Sequence, residues 1–366
     1  MNIMLICTSG GIVNNFRQDL IDFLTEKGHV VTVIADYSDQ KPLKNNYKAI
    51  DISVNNKSKN VFSALKYYCA IKKAVKQSGP DAAITFMIKP NTFGARAALK
   101  APGVKVFSMI EGMGTVYTVD TLKYRAIRVI TDFLYRSNMR KLSGLFCLND
   151  YDAAYFKNGF ISADKVHILP GIGLDTEKYA FSQINEHKTV AMFARLLREK
   201  GVEDYCKAAK IVKESDPEVK FLLYGQREKE TDEIVDSYVA QGVIEYRGTT
   251  SDVTSAMKEV GVVVLPSYRE GASRIIMEAM SCGRPVITYD VIGCNHLVDN
   301  GKNGIVVKKF DINALAEAID QIVHNEIMSN EFGERAREKA EKVYDAKVIN
   351  NTICDVITEV VGDTDK

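Results

Sequence analysis

The sequence predicts an α/β protein of two doubly wound domains, each a parallel sheet covered by helices, facing one another across a cleft. Three observations carry this. Short β-branched runs alternate with longer helical patterns, and the alternation restarts after a proline- and glycine-rich segment at 169–175. A chain of 366 residues also exceeds what one hydrophobic core usually serves.

In the first half the predicted strands are 3–7, 30–35, 82–86, 104–109, 145–148 and 166–169. Between the first two, Phe16, Leu20, Phe23 and Leu24 recur at helical spacing, and similar patterns fill 61–77, 92–99 and 121–142. Leu169-Pro170-Gly171-Ile172-Gly173-Leu174-Asp175 and the polar stretch to Lys188 read as a turn-rich linker. Beyond it, 189–193, 221–224, 243–246, 262–265 and 286–289 read as buried strands, with helices near 202–214, 231–241 and 273–281. Helical patterns at 312–325, 329–342 and 346–361 close the chain. The expected domains are 1–175 and 176–345, with 346–366 a helix returning to the first. Open α/β sheets bind ligands at the carboxyl ends of their strands, so both domains should present those ends to the cleft.

A hydrophobic fraction of 46% and a charged fraction of 26% exclude a disordered or fibrous chain. Seven cysteines, odd in number and without CxxC pairing, fit reduced thiols rather than a disulfide framework or zinc site. The N-terminus lacks the basic flank and cleavage site of a signal peptide, and no apolar run reaches the ~18 residues of a membrane span. The expected location is the cytosol or a membrane face. Residues 1–175 carry 23 Lys and Arg against 14 Asp and Glu, whereas the remainder carries 25 against 33. A basic half attracts phosphates, anionic lipids or nucleic acid, although solvated surface charge accounts for it equally well.

The sharpest constellation runs from Ser267 to Met280. It follows a buried strand and opens a helix, whose N-terminal amides suit hydroxyls or phosphates. Gly271 permits close approach of a ligand to the backbone. Glu278 lies two turns after Glu270, so both carboxylates could face one bound molecule. The same residues would suit a helix start with acidic capping. A second cluster, Phe193 to Gly201, places Arg195 and Lys200 between a strand and a helix. There they can converge on a diphosphate, one as a planar fork and the other as a point charge. A solvated basic turn competes with that reading, above all for Arg198.

Thr8-Ser9-Gly10-Gly11 follows the first strand and could bring backbone amides to a pyrophosphate, although it is no GxGxxG fingerprint. Gly225, and Gly248 to Asp252, are loops at neighbouring strand ends, or simple turns. Glu111-Gly112-Met113-Gly114 puts a carboxylate at a strand end between glycines. No metal-site spacing and no G-x-S-x-G motif is present. Helix 121–142 carries Lys123, Arg125, Arg128, Arg136, Arg140 and Lys141 among Leu122, Ile127, Ile130, Phe133 and Leu134. Such a helix could lie on an anionic membrane or pack on a sheet with a cationic outer face.

Taken in order along nearly the whole chain, these motifs resemble the family 4 retaining glycosyltransferases of the GT-B fold, which have two Rossmann-like domains. The likeness rests on Gly10-Gly11, the 170–175 linker, Ala194-Arg195-Leu196 with Lys200-Gly201, Gly225, Gly248 with Asp252, Glu270 with Glu278, and Cys282-Gly283-Arg284-Pro285. The segments Asn91-Thr92-Phe93-Gly94 and Glu111-Gly112-Met113-Gly114 are similar to a bacterial subgroup. Its members transfer N-acetylgalactosamine or a related sugar onto undecaprenyl-diphosphate-linked saccharides.

The resemblance implies that Arg195 and Lys200 grip the donor diphosphate and Glu278 the ribose. Glu270, with the Gly271, Ala272, Ser273 and Arg274 backbone, would hold the transferred sugar. Gly10, Gly11, Gly225, Gly248 and Asp252 complete the expected donor site. Glu111 stands where many relatives have a histidine, and His296 where they commonly have a glutamate. The implied partners are a nucleotide-sugar donor, a lipid-linked saccharide acceptor and the cytoplasmic membrane face, with no nucleic acid and no metal or other cofactor. A nucleotide-sugar 2-epimerase of the same fold and a catalytically silent membrane-bound protein are the competing readings.

Overall fold

The computed structural model describes residues 1–52, 61–118 and 120–362. It divides into two units, one of Met1–Gly173 with Ala346–Lys366 and one of Leu174–Asp345. Residues 363–366 of the expected C-terminal segment lie outside the described residues.

In the N-terminal unit β1 (Asn2–Ser9), β2 (Val30–Asp36), β3 (Lys48–Asp51), β4 (Ala82–Phe86), β5 (Lys105–Ile110), β6 (Gly144–Cys147) and β7 (Val166–Ile168) form one sheet, ordered β3-β2-β1-β4-β5-β6-β7. Every pairing is parallel. Strand order reverses between β1 and β4, which makes that crevice the topological switch point. The central strands read as continuous apolar runs because helices cover both faces; Met4, Leu5, Ile6, Ala83 and Ile84 are fully buried.

The first helical pattern is two helices, Gly10–Phe16 and Gln18–Glu26, rather than one. Phe16 is exposed, and the buried face runs through Arg17, Leu20, Ile21 and Leu24, which share one side at helical spacing. Asn91, in the π-helical turn Pro90–Gly94, is buried and ties two strand ends together. It accepts from Thr85 Oγ1 at 2.7 Å and donates to the Met109 carbonyl at 2.8 Å. That bond holds the end of β5 two residues before Glu111. The final helix, Ala346–Gly362, packs on Gln18–Glu26, where Cys354 Sγ lies 3.5 Å from His29 Nε2.

In the C-terminal unit β8 (Thr189–Phe193), β9 (Lys220–Tyr224), β10 (Glu245–Gly248), β11 (Val262–Leu265), β12 (Val286–Tyr289) and β13 (Gly304–Val307) are ordered β10-β9-β8-β11-β12-β13, again all parallel. The switch point falls between β8 and β11. The run at 243–246 is not the buried strand expected. Val243 and Ile244 are buried ahead of the strand, and Glu245–Gly248 is a half-exposed edge. The edge strand β3 and the short helices Asp150–Lys157 and Val253–Met257 lack an apolar run, whereas β13 carries a short one, Ile305-Val306-Val307, that the sequence reading passed over. All seven cysteines are free thiols.

Candidate active site

In the C-terminal unit the site is assembled by two loops that leave the sheet on either side of its switch point. After β8 the chain runs through Arg195 to the 3₁₀ turn Arg198–Lys200 and then Gly201, whose φ of 75° is left-handed. A Cβ at Gly201 would stand 2.0 Å from the Pro266 carbonyl oxygen. Glycine therefore lets this loop press against the loop that follows β11, and Tyr268 N–H donates across to the Glu199 carbonyl at 2.8 Å.

The contact brings together two residues separated by 70 positions. Lys200 Nζ lies 2.6 Å from Glu270 Oε1, and Ser267 Oγ donates to the same oxygen at 2.8 Å. Both partners are largely buried, with side chains 21% and 17% exposed. The backbone of Glu270 is fixed from behind: its N–H donates to the Ile292 carbonyl, and Gly293, with φ of 84°, leaves no room for a Cβ against the Glu270 carbonyl. Ser273 N–H donates to the Gly293 carbonyl. Gly271 and Ala272 form the turn between Glu270 and the helix.

Several expected placements come out differently. Glu270 and Glu278 do not sit two turns apart on one helix. The helix is Arg274–Ser281, so Glu270 belongs to the preceding loop. Each carboxylate consequently has its own cation: Glu278, 7% exposed, accepts from Arg274 Nε at 2.8 Å across one helical turn. Tyr179 lies beside this pair, its hydroxyl pushed up to about 12 by burial and by the Glu278 carboxylate. Arg195 does not share a protein partner with Lys200. Its side chain is 59% exposed and comes no nearer than 3.9 Å to Glu228.

Gly225 serves packing, since a Cβ there would sit 1.6 Å from the Ala194 carbonyl oxygen; its N–H donates to the Gly248 carbonyl. Asp252 caps the helix Val253–Met257, accepting from Ser255 N–H at 2.9 Å and Ser255 Oγ at 2.6 Å. The Ser255 hydroxyl and amide hold its carboxyl below the ordinary value. His296 is exposed in the short 3₁₀ turn Asn295–Leu297.

In the N-terminal unit the Gly10 and Gly11 amides are occupied by the Asp39 carboxylate at 3.0 and 3.2 Å. Burial would raise this carboxyl, but the Gly11 and Gln40 amides, Ser9 and the Gly10 amide outweigh it and hold it low. Gly10 is required by the Gln40 carbonyl, 2.0 Å from where its Cβ would lie. These glycines thus admit the chain's own 39–40 turn. Glu111, just past β5, forms an ion pair with Arg17. Sequence reasoning missed Arg17, although an arginine on the same face as Leu20, Ile21 and Leu24 announces a buried cation in need of a carboxylate.

Residues 175–339 match the family described as glycosyl transferases group 1. Over 365 residues the chain is 26% identical to an N,N'-diacetylbacillosaminyl-diphospho-undecaprenol α-1,3-N-acetylgalactosaminyltransferase of Campylobacter jejuni, spanning 95% of this chain and 96% of that protein. Sucrose-phosphate synthase from Thermosynechococcus elongatus superposes with a TM-score of 0.84 at 17% identity, over 99% of this chain and 100% of that one. Anabaena HepE, solved in complex with UDP, superposes at 0.79 with 18% identity, over 98% and 100%. Residues 175–339 are therefore a group 1 glycosyl transferase domain, and the chain has the GT-B fold.

Proposed function

We propose that this chain is a family 4 retaining hexosyltransferase. It moves N-acetylgalactosamine or a related hexose from a UDP-sugar to a lipid-diphosphate-linked saccharide, in assembly of a bacterial surface polysaccharide or glycan. The observation that carries the reading is the Lys200–Glu270 pair at the β8/β11 switch point. A cation there meets the donor diphosphate while its carboxylate partner turns to sugar hydroxyls. The exposed Arg195 adds a second cation, Glu278 takes the ribose hydroxyls, and the Gly271–Arg274 backbone lines the sugar. The full-length likeness to the Campylobacter enzyme supports the acceptor class and the sugar, and HepE with UDP supports the nucleotide.

In the reaction an acceptor hydroxyl oxygen bonds to the anomeric carbon on the face from which the diphosphate departs. The glycosidic C–O bond breaks with its electron pair, and the departing diphosphate oxygen takes the acceptor proton. Lys200 and Arg195 offset the charge that grows on that oxygen, so no metal is required.

The acceptor's lipid also gives a role to the helix Leu122–Met139. Its buried face is Thr131, Tyr135, Asn138 and Met139. Leu122, Val129, Ile130 and Phe133 are 83%, 70%, 62% and 69% exposed and fall on the opposite side, flanked by Lys123, Arg125 and Arg136. An apolar stripe between basic rows suits an anionic bilayer surface, and no helix among the described residues is long and apolar enough to cross one. We expect the protein to lie on the cytoplasmic face of the membrane. The double variant Ile130→Glu, Phe133→Glu should lose ~10-fold or more in co-sedimentation with phosphatidylglycerol vesicles, from the apolar burial forgone. Undiminished sedimentation removes the helix from this role.

The activity is tested by offering the protein a panel of UDP-sugars and an undecaprenyl-diphosphate-linked saccharide in excess EDTA. The expected product is α-linked, formed fastest from UDP-N-acetylgalactosamine and insensitive to EDTA. A β-linked product rules out retention, a need for divalent ions rules out the metal-free route, and interconversion of free UDP-sugars points to an epimerase.

A further inference from the structure

The N-terminal unit has an ion pair of its own at its switch point. Arg17 stands at the junction of the helices Gly10–Phe16 and Gln18–Glu26, and Glu111 follows β5 directly. The arginine side chain is 4% exposed and the glutamate 19%. Arg17 therefore lies beneath, and only the carboxylate reaches the surface. Three contacts hold the guanidinium. Its Nη2 pairs with Glu111 Oε1, its Nη1 donates to the Phe16 carbonyl at 2.7 Å, and its Cζ lies over the Phe86 ring, 4.2 Å from the centroid. Phe86 closes β4, so the guanidinium spans the crevice between the strands where the order reverses. The backbone around the carboxylate is equally constrained. Gly112 takes a left-handed φ of 128°, Gly114 one of 66°, and Met87, a non-glycine residue, one of 71°.

We propose that Arg17 is the positioning residue of Glu111, fixing one carboxylate oxygen so that the other accepts a hydrogen bond from a hydroxyl of the bound saccharide. This rests on the transferase reading above and names the residue behind its N-terminal site. Arg17 does not touch the substrate. It sets the carboxylate's direction, and a fork clamped between a ring and a backbone carbonyl does this more rigidly than an ammonium. A hydroxyl held in the wrong direction is a reaction slowed at the chemical step, with donor affinity untouched.

The test uses full-length wild type, Arg17→Lys, Arg17→Met, Glu111→Gln and the double variant Arg17→Met, Glu111→Gln. Each is measured for melting temperature, for binding of UDP alone, and for kcat and donor KM of transfer to the lipid-linked saccharide. Misplacement of a substrate-orienting group costs ~10²-fold, so Arg17→Met should lose about that in kcat. UDP affinity and donor KM should stay within ~3-fold of wild type, because the residues assigned to the donor all belong to the C-terminal unit. Arg17→Lys should recover part of the loss. The double variant removes both charges together, which restores folding if Arg17→Met alone is unstable. It should be no slower than Glu111→Gln, because two residues acting as one unit are not additive.

Losses that multiply in the double variant overturn the proposal, as does an Arg17→Met enzyme with wild-type kcat or one that loses UDP binding in step with activity. Wild-type protein that neither binds UDP nor transfers a sugar overturns the transferase reading itself, and this inference with it.

Discussion

Replacing Lys200 with alanine should lower sugar transfer by ~10²–10³-fold while the protein remains folded, the cost measured for removing one preorganised donor from a site of developing charge. The ammonium lies at the β8/β11 switch point, held 2.6 Å from Glu270 Oε1. Its loss leaves Glu270 with Ser267 Oγ, and because both side chains are largely buried the melting temperature should fall although the protein stays folded. The comparison with Arg195→Ala is informative. Arg195 is 59% exposed and held only loosely by Glu228, so its removal should cost less in rate than that of Lys200. The measurement is kcat/KM for both variants beside melting curves. A Lys200→Ala enzyme within 3-fold of wild type would remove the diphosphate role, and one that unfolds would reassign the residue to the scaffold.

Arg284→Met should destabilise the C-terminal unit by about 4 kcal/mol, read from urea unfolding at 25 °C. Arg284 is fully buried yet pairs with no carboxylate among the described residues. Its guanidinium instead donates to the Met257, Ser182 and Cys282 carbonyls at 2.6 to 2.8 Å, to Ser182 Oγ at 2.7 Å and to the Gln183 carbonyl at 3.5 Å. Burial pushes its pKa down to about 10, which still leaves it charged at neutral pH. Methionine fills similar volume but strands several buried acceptors, each worth ~1–3 kcal/mol when unsatisfied. Arg284→Lys should recover less than half, because an ammonium cannot reach so many divergent carbonyls. A loss below about 1.5 kcal/mol for Arg284→Met would show that water replaces the guanidinium. The Cys282-Gly283-Arg284-Pro285 run, met in the sequence as one motif among several, thus acts through stability rather than through the donor.

The long apolar runs made the architecture legible. β1, β4, β8, β11 and β12 are buried on both faces, so their sequences are nearly uniform in hydrophobicity and their positions came out within one or two residues. The edge strand β3 left no comparable trace, and β10 was read two residues early because Val243 and Ile244 ahead of it carry the apolar signal. Gly201 and Gly225 stand out in the sequence as motif positions, and Gly293 joins them in the structure. In each case a Cβ would meet the carbonyl of another chain segment. Gly10 illustrates the ambiguity best, since a ligand's approach and a neighbouring turn's approach require the same missing Cβ.

What the linear order of residues determined by itself is the periodicity of burial, and through it two parallel sheets and the loops at their carboxyl ends, because burial of apolar side chains depends on local spacing. Which charges meet was decided only in three dimensions. Lys200 finds Glu270 across 70 residues, Arg17 finds Glu111 across 94, and Asp39 claims the Gly10 and Gly11 amides. An ion pair is set by distance and exclusion of water, and both come from how strands are ordered in the sheet, which no local pattern encodes.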